Sequence, residues 1–155
     1  MLWSSDTLFV RFVARYRDLY TYPQSNSRLG KLWERDVAEM FIHSPADPPR
    51  AYKEFEVSPN GNWIDLDIAP GMGHDLHCAL KAHASVDQRT STWTGELYIP
   101  TQCLTTDFNP QSVWRVNFFR IEGRGPRRFY SAWRATNTPQ PNFHVPEVFG
   151  TLRFK

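Results

Sequence analysis

Several side chains in this sequence are of types that could bind a ligand. Glu39 lies in an apolar stretch, where a carboxylate is either an edge residue paired with a local arginine or a hydrogen-bond acceptor in a cleft. Residues 143–154 are rich in aromatic rings and follow a loop rich in proline and asparagine, which is typical of a surface. His74 and His77 have metal-ligand spacing only on a helix, and the neighbouring glycines favour a loop. Carboxylate and aromatic side chains are therefore the main candidates for ligand binding.

The composition is that of a globular domain with many aromatic residues. Of its 155 residues, 18 are Lys or Arg and 16 are Asp or Glu, and a net charge of +2 is too small to indicate nucleic acid or an anionic membrane as a partner. No apolar run approaches the roughly 20 residues needed to span a bilayer. Aromatic residues make up 15% of the chain, enough to fill a core and to present some rings to a partner. Cys78 and Cys103 have no metal-ligand spacing, and a disulfide between them stays open.

Alternating apolar and polar residues predict the elements that would position these groups. The pattern indicates strands at 7–16, 37–42, 51–58, 63–68, 91–100, 112–122, 129–133 and 151–155. The Asn60-Gly61 pair predicts a hairpin, and Gly150 is expected to turn the chain into the last strand. Residues 69–88 show no readable pattern. Eight or nine short strands without a convincing helix predict an all-β fold, an antiparallel β-sandwich or jelly roll formed by one domain over 1–155.

Four motifs, in one order and at comparable spacing, give the chain a family resemblance. They are WERDVAEMFI at 33–42, WRVNF at 114–118, YSAW at 130–133 and FHVPEVFG at 143–150. On these motifs the chain resembles the family 9 carbohydrate-binding modules, β-sandwiches of the wider group that also holds the haem- and sugar-binding DOMON domains. The resemblance implies a non-catalytic, sugar-binding module, extracellular or periplasmic, of the kind attached to polysaccharide-degrading enzymes. It also implies calcium, although the family's acidic calcium loops have no match here.

The resemblance also implies which residues contact the ligand. In sugar-binding members two tryptophans clamp a terminal sugar; the first matches Trp33, and the second falls on Phe143. The family's acidic residue matches Glu39, and its asparagine-rich approach to the second ring matches the segment that ends at Asn142. Glu56 stands where the family has a sugar-binding arginine, so the donor–acceptor pattern differs, and we expect another glycan or a cationic ligand. Core packing is the alternative for both rings.

Two other functional classes stay open. The first is a haem-binding relative, whose axial ligands would be a methionine and a histidine drawn from Met40, Met72, His43 and His144. The second is an enzyme in which Glu39 and Glu56 form a carboxylate pair for glycoside cleavage. The non-catalytic character of the family that the chain resembles speaks against an enzyme.

The beginning of the chain leads to one more expectation. Family members carry additional residues, including another strand, before the strand at 7–16. We therefore expect this N-terminal strand to be missing, which would leave an unpaired sheet edge open to a partner strand or to self-association. The first residues show no signal-peptide pattern.

Overall fold

Two antiparallel β-sheets face each other in the computed structural model, which describes residues 1–155. The four-stranded sheet has the order β1 (Leu2–Trp3), β2 (Thr7–Arg15), β8 (Thr92–Pro100) and β7 (Lys81–Asp87). The seven-stranded sheet has the order β10 (Phe129–Ala132), β9 (Trp114–Glu122), β3 (Val37–His43), β4 (Tyr52–Val57), β5 (Trp63–Ala69) and β6 (Met72–Asp75), and β11 (Gly150–Leu152) also pairs with β9. The predicted all-β sandwich is confirmed.

The helical content consists of four short 3-10 turns. They span Leu32–Glu34, Thr101–Cys103, Gly125–Arg127 and Pro146–Val148. None of these turns has the length or the apolar character that crossing a membrane requires. The first and last turns matter most here, because they lie next to the loops that cover the larger sheet.

Alternation along the central strands fills the space between the two sheets. From β3, Ala38, Met40 and Ile42 join a cluster of 16 buried residues that includes Trp93 and Leu97 of the smaller sheet. Full burial of an aliphatic side chain of this size contributes about 1.5–3 kcal/mol. This shared apolar cluster holds the two sheets together.

The other face of the larger sheet is also covered. Two smaller apolar clusters lie there, one formed by Leu32, Val37, Ile64 and Ile121 and the other by Phe41, Tyr52, Phe119 and Phe149. Phe143 packs against both clusters. Side chains that alternate away from the sandwich core, Glu39 among them, are therefore buried under loops rather than exposed to water.

Residues 69–88, which the sequence left unassigned, contain β6 and β7. Both strands lie at sheet edges, and every residue of β6 is exposed. On β7 the inward side chains of Ala82 and Ala84 are small and only half-buried. Edge strands are held by backbone pairing, so their side chains carry little of the alternation that marks a strand in a sequence. The two cysteines, whose pairing was open, are free thiols.

The closing strand starts earlier than predicted. Gly150 pairs with Val116 inside β11, so it does not form the expected turn. A methyl group at this position would collide with the ring of Trp133, and the glycine permits this close approach.

The outer edge of β2 has a short partner. Leu2 and Trp3 of β1 pair with Phe9 and Leu8, and residues 10–15 have no strand partner on that side. The addition of a strand from another chain at this edge stays a prediction.

Candidate functional site

A pocket of about 430 Å³ opens on the loop-covered face of the larger sheet. Its size lies within the range of about 300–1,000 Å³ typical of small-molecule sites. Aromatic and aliphatic side chains dominate its walls, and two acidic side chains reach it. The lining residues most important for its chemistry are Trp33, Phe41, Tyr130, Phe143, His144, Glu39 and Glu54.

The turn Leu32–Glu34 presents Trp33 to this pocket. Leu32 is fully buried and anchors the turn, while the next side chain, Trp33, is 40% exposed. The hydroxyl of Tyr22 shares its one donor between the carbonyl of Lys31 and the carboxylate of Glu34, each 3.1 Å away. Trp33 is therefore a pocket wall on a braced turn, and its core-packing alternative is wrong.

Phe143 is divided between the core and the pocket. Its ring stacks on Phe119 with a centroid distance of 4.3 Å and an interplanar angle of 16°, and Tyr130 meets it edge-on at 6.1 Å. Asn142 also lines the pocket, and its side-chain oxygen accepts a hydrogen bond of 3.0 Å from the backbone N–H of His144. Phe143 is half-buried, so the residue predicted as a clamp is also a packing residue.

Three buried carboxylates come together beside the pocket. In the antiparallel register of β3 and β4, Glu39 lies opposite Glu56, and Phe41 lies opposite Glu54. The acidic side chains share one face of the sheet, and one oxygen from each lies within 4.8 Å of the others. Glu39 and Glu54 line the pocket, whereas Glu56 is 0% exposed and does not line it. We call this group the carboxylate cluster.

The carboxylate cluster has an unusual electrostatic environment. Burial and the neighbouring carboxylates raise the pKa of Glu39 and Glu56 well above the ordinary range, and burial raises the pKa of Glu54. The guanidinium of Arg128 slightly offsets the effect on Glu39, but its hydrogen bonds go to backbone carbonyls. Burial and mutual repulsion therefore favour the protonated over the ionised form in this group when no cation is bound.

A part-buried hydrogen bond fixes another side of the pocket. The hydroxyl of Tyr52 lies 2.5 Å from Nδ1 of His144, and the Tyr52 ring stacks on Phe41 with centroids 5.2 Å apart. Burial and the neighbouring carboxylates raise the pKa of Tyr52, which keeps its hydroxyl protonated. His144 is therefore held at the pocket by a neutral hydrogen-bonding group.

Sequence reasoning missed part of this site. Glu54 had a readable signal, because it precedes Glu56 by two residues and must share its face in a strand. Phe41 had the same signal relative to Glu39. Tyr130 had none beyond its position in a motif, since its approach to the pocket depends on the pairing of β10 with β9.

The structure separates the groups proposed for haem. Met40 is fully buried in the sandwich core, on the face of β3 opposite to Glu39, so it cannot share an iron with His144. His43 places Nδ1 2.6 Å from the carbonyl of Ala51. Met72 and His144 do border a common depression, but Met72 is 58% exposed on an edge strand. The choice of Met40 as an axial ligand was wrong.

Three curated proteins have related sequences, and no protein-family model matches the chain. A protein of Arthroderma benhamiae named "Extracellular protein" is 26% identical over 171 residues, which cover 99% of this chain and 76% of that protein. The UPF0462 protein C4orf33 homologs of mouse and rat are 28% and 27% identical over 130 residues, which cover 80% of this chain. The matches cover 64% and 61% of the rodent proteins, less than two thirds of their length.

Solved structures with the same fold come from bacteria. A Bacteroides uniformis protein that is proposed to bind carbohydrate matches 97% of this chain and 74% of its own, with a TM-score of 0.80 and 18% identity. A family 9 carbohydrate-binding module of Caldicellulosiruptor kristjanssonii, solved with cellotriose and with glucose, gives a TM-score of 0.68 and 18% identity over 99% of this chain. The match covers 71% of the module's chain in the cellotriose complex and 73% in the glucose complex. The chain therefore has the same fold as the family 9 carbohydrate-binding modules, as its motifs predicted.

Proposed function

We propose that this chain is a non-catalytic module that binds carbohydrate in the pocket beside Trp33. The observation that carries the proposal is the pairing of an exposed tryptophan with carboxylate acceptors in one cavity. A sugar ring has an apolar C–H face that packs on an aromatic ring, and hydroxyl groups that donate hydrogen bonds to polar groups at its edge.

The arrangement of the pocket fits both the apolar face and the hydroxyl groups of a sugar. Trp33, Tyr130 and Phe143 supply aromatic surface, and the pocket-facing carboxyl groups of Glu39 and Glu54 supply acceptors. A pocket of this size receives a free sugar or the end of a glycan chain. The cellotriose and glucose complexes of a module with the same fold support this class of ligand.

The absence of catalysis is proposed from the position of the acidic groups. Both carboxyl groups of a glycosidase flank the scissile bond. Glu56 does not line the pocket, so the pair of Glu39 and Glu56 has no position on the two sides of a substrate. Release of reducing ends from a bound glycan would contradict this part of the proposal.

Tryptophan fluorescence tests the binding. We expect at least one sugar of a broad glycan panel to change the emission, and Trp33→Ala to lower its affinity at least tenfold, about 1.4 kcal/mol. Trp3→Ala is the matched control, because Trp3 is 37% exposed and packs against Phe108 and Phe154, away from the pocket. The proposal fails if no glycan binds, or if the two variants lose affinity equally.

A further inference from the structure

The carboxylate cluster contains more acceptors than the protein satisfies. No hydrogen bond reaches Oε1 of Glu39, Oε2 of Glu54 or either carboxylate oxygen of Glu56. The three residues are 2%, 3% and 0% exposed, so water does not solvate them as it solvates surface carboxylates. Buried ionised groups without partners are strongly unfavourable, and proteins normally pair them or use them to coordinate metals.

No cation of the protein forms a salt bridge with this group, although His144 lies near Glu54. Arg128 donates to the carbonyls of Gly123 and Arg35 instead, and no salt bridge involves a member of the carboxylate cluster. Three ionised carboxylates would carry a charge of −3. A divalent ion would leave −1, whereas a single ammonium group would leave −2. Charge matching therefore favours a divalent metal ion over an amine.

The spacing and the ligand type narrow the choice of ion. The oxygens of the carboxylate cluster lie within 4.8 Å of one another, close enough for one ion to contact all three residues. Ca²⁺ accepts several carboxylate ligands in flexible geometry, whereas Mg²⁺ dehydrates reluctantly and usually keeps several waters, so three buried carboxylates suit Ca²⁺ better than Mg²⁺. All available ligands are carboxylate oxygens, and such sets suit Ca²⁺, Mg²⁺ and Mn²⁺ rather than zinc or copper.

We propose that Glu39, Glu54 and Glu56 together bind one hard divalent cation, Ca²⁺ in preference to Mg²⁺, at the floor of the pocket. The site is formed by neighbouring strands, and it differs from the acidic loops that the family resemblance implies for calcium. Because Glu39 and Glu54 line the pocket, the open coordination positions of the ion face it. If the proposed function holds, sugar hydroxyl oxygens complete the coordination there.

Calorimetric titration of the chelator-treated full chain with CaCl₂, without any sugar, tests the site directly. We expect one Ca²⁺ per chain, with weaker binding of MgCl₂. An excess of 100 times the Kd should raise the Tm by about 5–10 °C. The absence of stoichiometric binding to the unmodified chain overturns the proposal, whatever any variant shows. Binding of methylammonium chloride without binding of a divalent ion also overturns it.

Glu56→Gln keeps the side-chain volume and removes one ligand charge. We expect it to lower the Ca²⁺ affinity at least tenfold while the metal-free Tm stays equal to or above that of the unmodified chain, since a like charge is removed from the group. Glu96→Gln is the matched control, because Glu96 lies on β8 of the other sheet and pairs with Arg11. Equal Ca²⁺ affinities of the two variants would overturn the assignment.

Glycan titrations with and without chelator separate this site from the proposed function. Glycan binding without Ca²⁺ binding leaves the function standing and removes the metal site. Ca²⁺ binding without any glycan binding leaves the metal site standing and removes the proposed function. A glycan affinity that falls at least tenfold in chelator and returns with CaCl₂ supports the contact between ion and sugar, and an unchanged affinity overturns that contact.

Discussion

Tyr52 is a polar group on the loop-covered face with a clear hydrogen-bond partner. Its hydroxyl is 2.5 Å from His144, its ring stacks on Phe41, and it is 1% exposed. It belongs to β4, whereas His144 belongs to the C-terminal loop. This single hydrogen bond therefore joins a pocket-lining loop residue to the sheet beneath it.

Tyr52→Phe removes the hydrogen bond and keeps the packed ring. We expect the free energy of unfolding to fall by about 1 kcal/mol, the usual net contribution of one hydrogen bond. We also expect glycan affinity to fall a few-fold, because His144 loses the group that positions it at the pocket. Denaturant titration and glycan titration measure the two effects.

Tyr98→Phe supplies the control for this substitution. Tyr98 is 42% exposed, and its hydroxyl is 3.4 Å from Glu96. Its loss should change stability by less than about 0.5 kcal/mol and leave binding unchanged. Equal effects of the two Tyr→Phe substitutions would show that the bond to His144 has no special role.

Only some of the pocket residues could be predicted from the sequence. Trp33 and Glu39 could be placed by motif, and the structure places both at the pocket. Phe143 was placed there too, but its stacking on Phe119 depends on a contact across 24 residues of chain that no local pattern encodes. Glu54 was missed although strand alternation pairs it with Glu56. The ligand-contacting role of each residue stays a prediction.

At the scale of the element, β8 contains a glycine whose two buried neighbours leave no room for a larger side chain. Gly95 lies in the middle of the strand, where a methyl carbon would be 2.7 Å from Cγ1 of Val57 and 2.8 Å from the ring of Trp93. Both neighbours are buried in the sandwich core. The two sheets approach closely here because no side chain stands between them.

Gly95→Ala should therefore destabilise the fold. Overpacking of a filled core costs about 1–3 kcal/mol, which exceeds the 0.5–1 kcal/mol that alanine contributes by restricting the unfolded chain. Gly30→Ala is the control, since nothing lies within 4 Å of its added carbon and its backbone is not in the left-handed region. The Tm of the Gly95→Ala variant should lie well below that of the Gly30→Ala variant. The reverse order would contradict this account of the sheet spacing.

The strands differ in how far the sequence could predict them. Central strands such as β3 and β9 alternate strongly and were predicted to within a few residues of their observed bounds. The edge strands β6 and β7 were not, since backbone pairing rather than apolar burial defines them. The shift of β11 toward Gly150 results from its long-range pairing with β9, which a local pattern does not contain.

At the scale of the whole molecule, the pocket depends on loops that cross one face of a sheet. The all-β architecture follows from alternation, but the register that sets Glu39 opposite Glu56 follows from long-range pairing. The loop at 16–36 carries Trp33, and it has only one isolated bridge to a strand. Backbone hydrogen bonds also join residues 26–29 of this loop to Asn60 and Trp63, and side chains hold the part that carries Trp33.

Asp36 makes several of the hydrogen bonds that position this loop. Its carboxylate accepts hydrogen bonds from the backbone N–H groups of Tyr20 at 3.0 Å and Gly123 at 2.6 Å, and its carbonyl accepts one from the hydroxyl of Ser58 at 2.9 Å. Asp36 is buried, at 2% exposed. One side chain thus joins the Trp33 loop to the turn between β9 and β10.

Asp36→Ala should damage both stability and binding. Two backbone N–H groups would lose their acceptor, at about 1–3 kcal/mol for each donor left unsatisfied, and we expect a total loss of about 2–6 kcal/mol. Glycan affinity should also fall, although Asp36 does not line the pocket, because the Trp33 turn loses its anchor. Asp18→Ala is the control: Asp18 is exposed and pairs with Arg124 at 3.2 Å, an interaction that contributes less than about 1 kcal/mol. Denaturant unfolding followed by glycan titration distinguishes the two variants, and similar results for both would mean that the loop does not depend on Asp36.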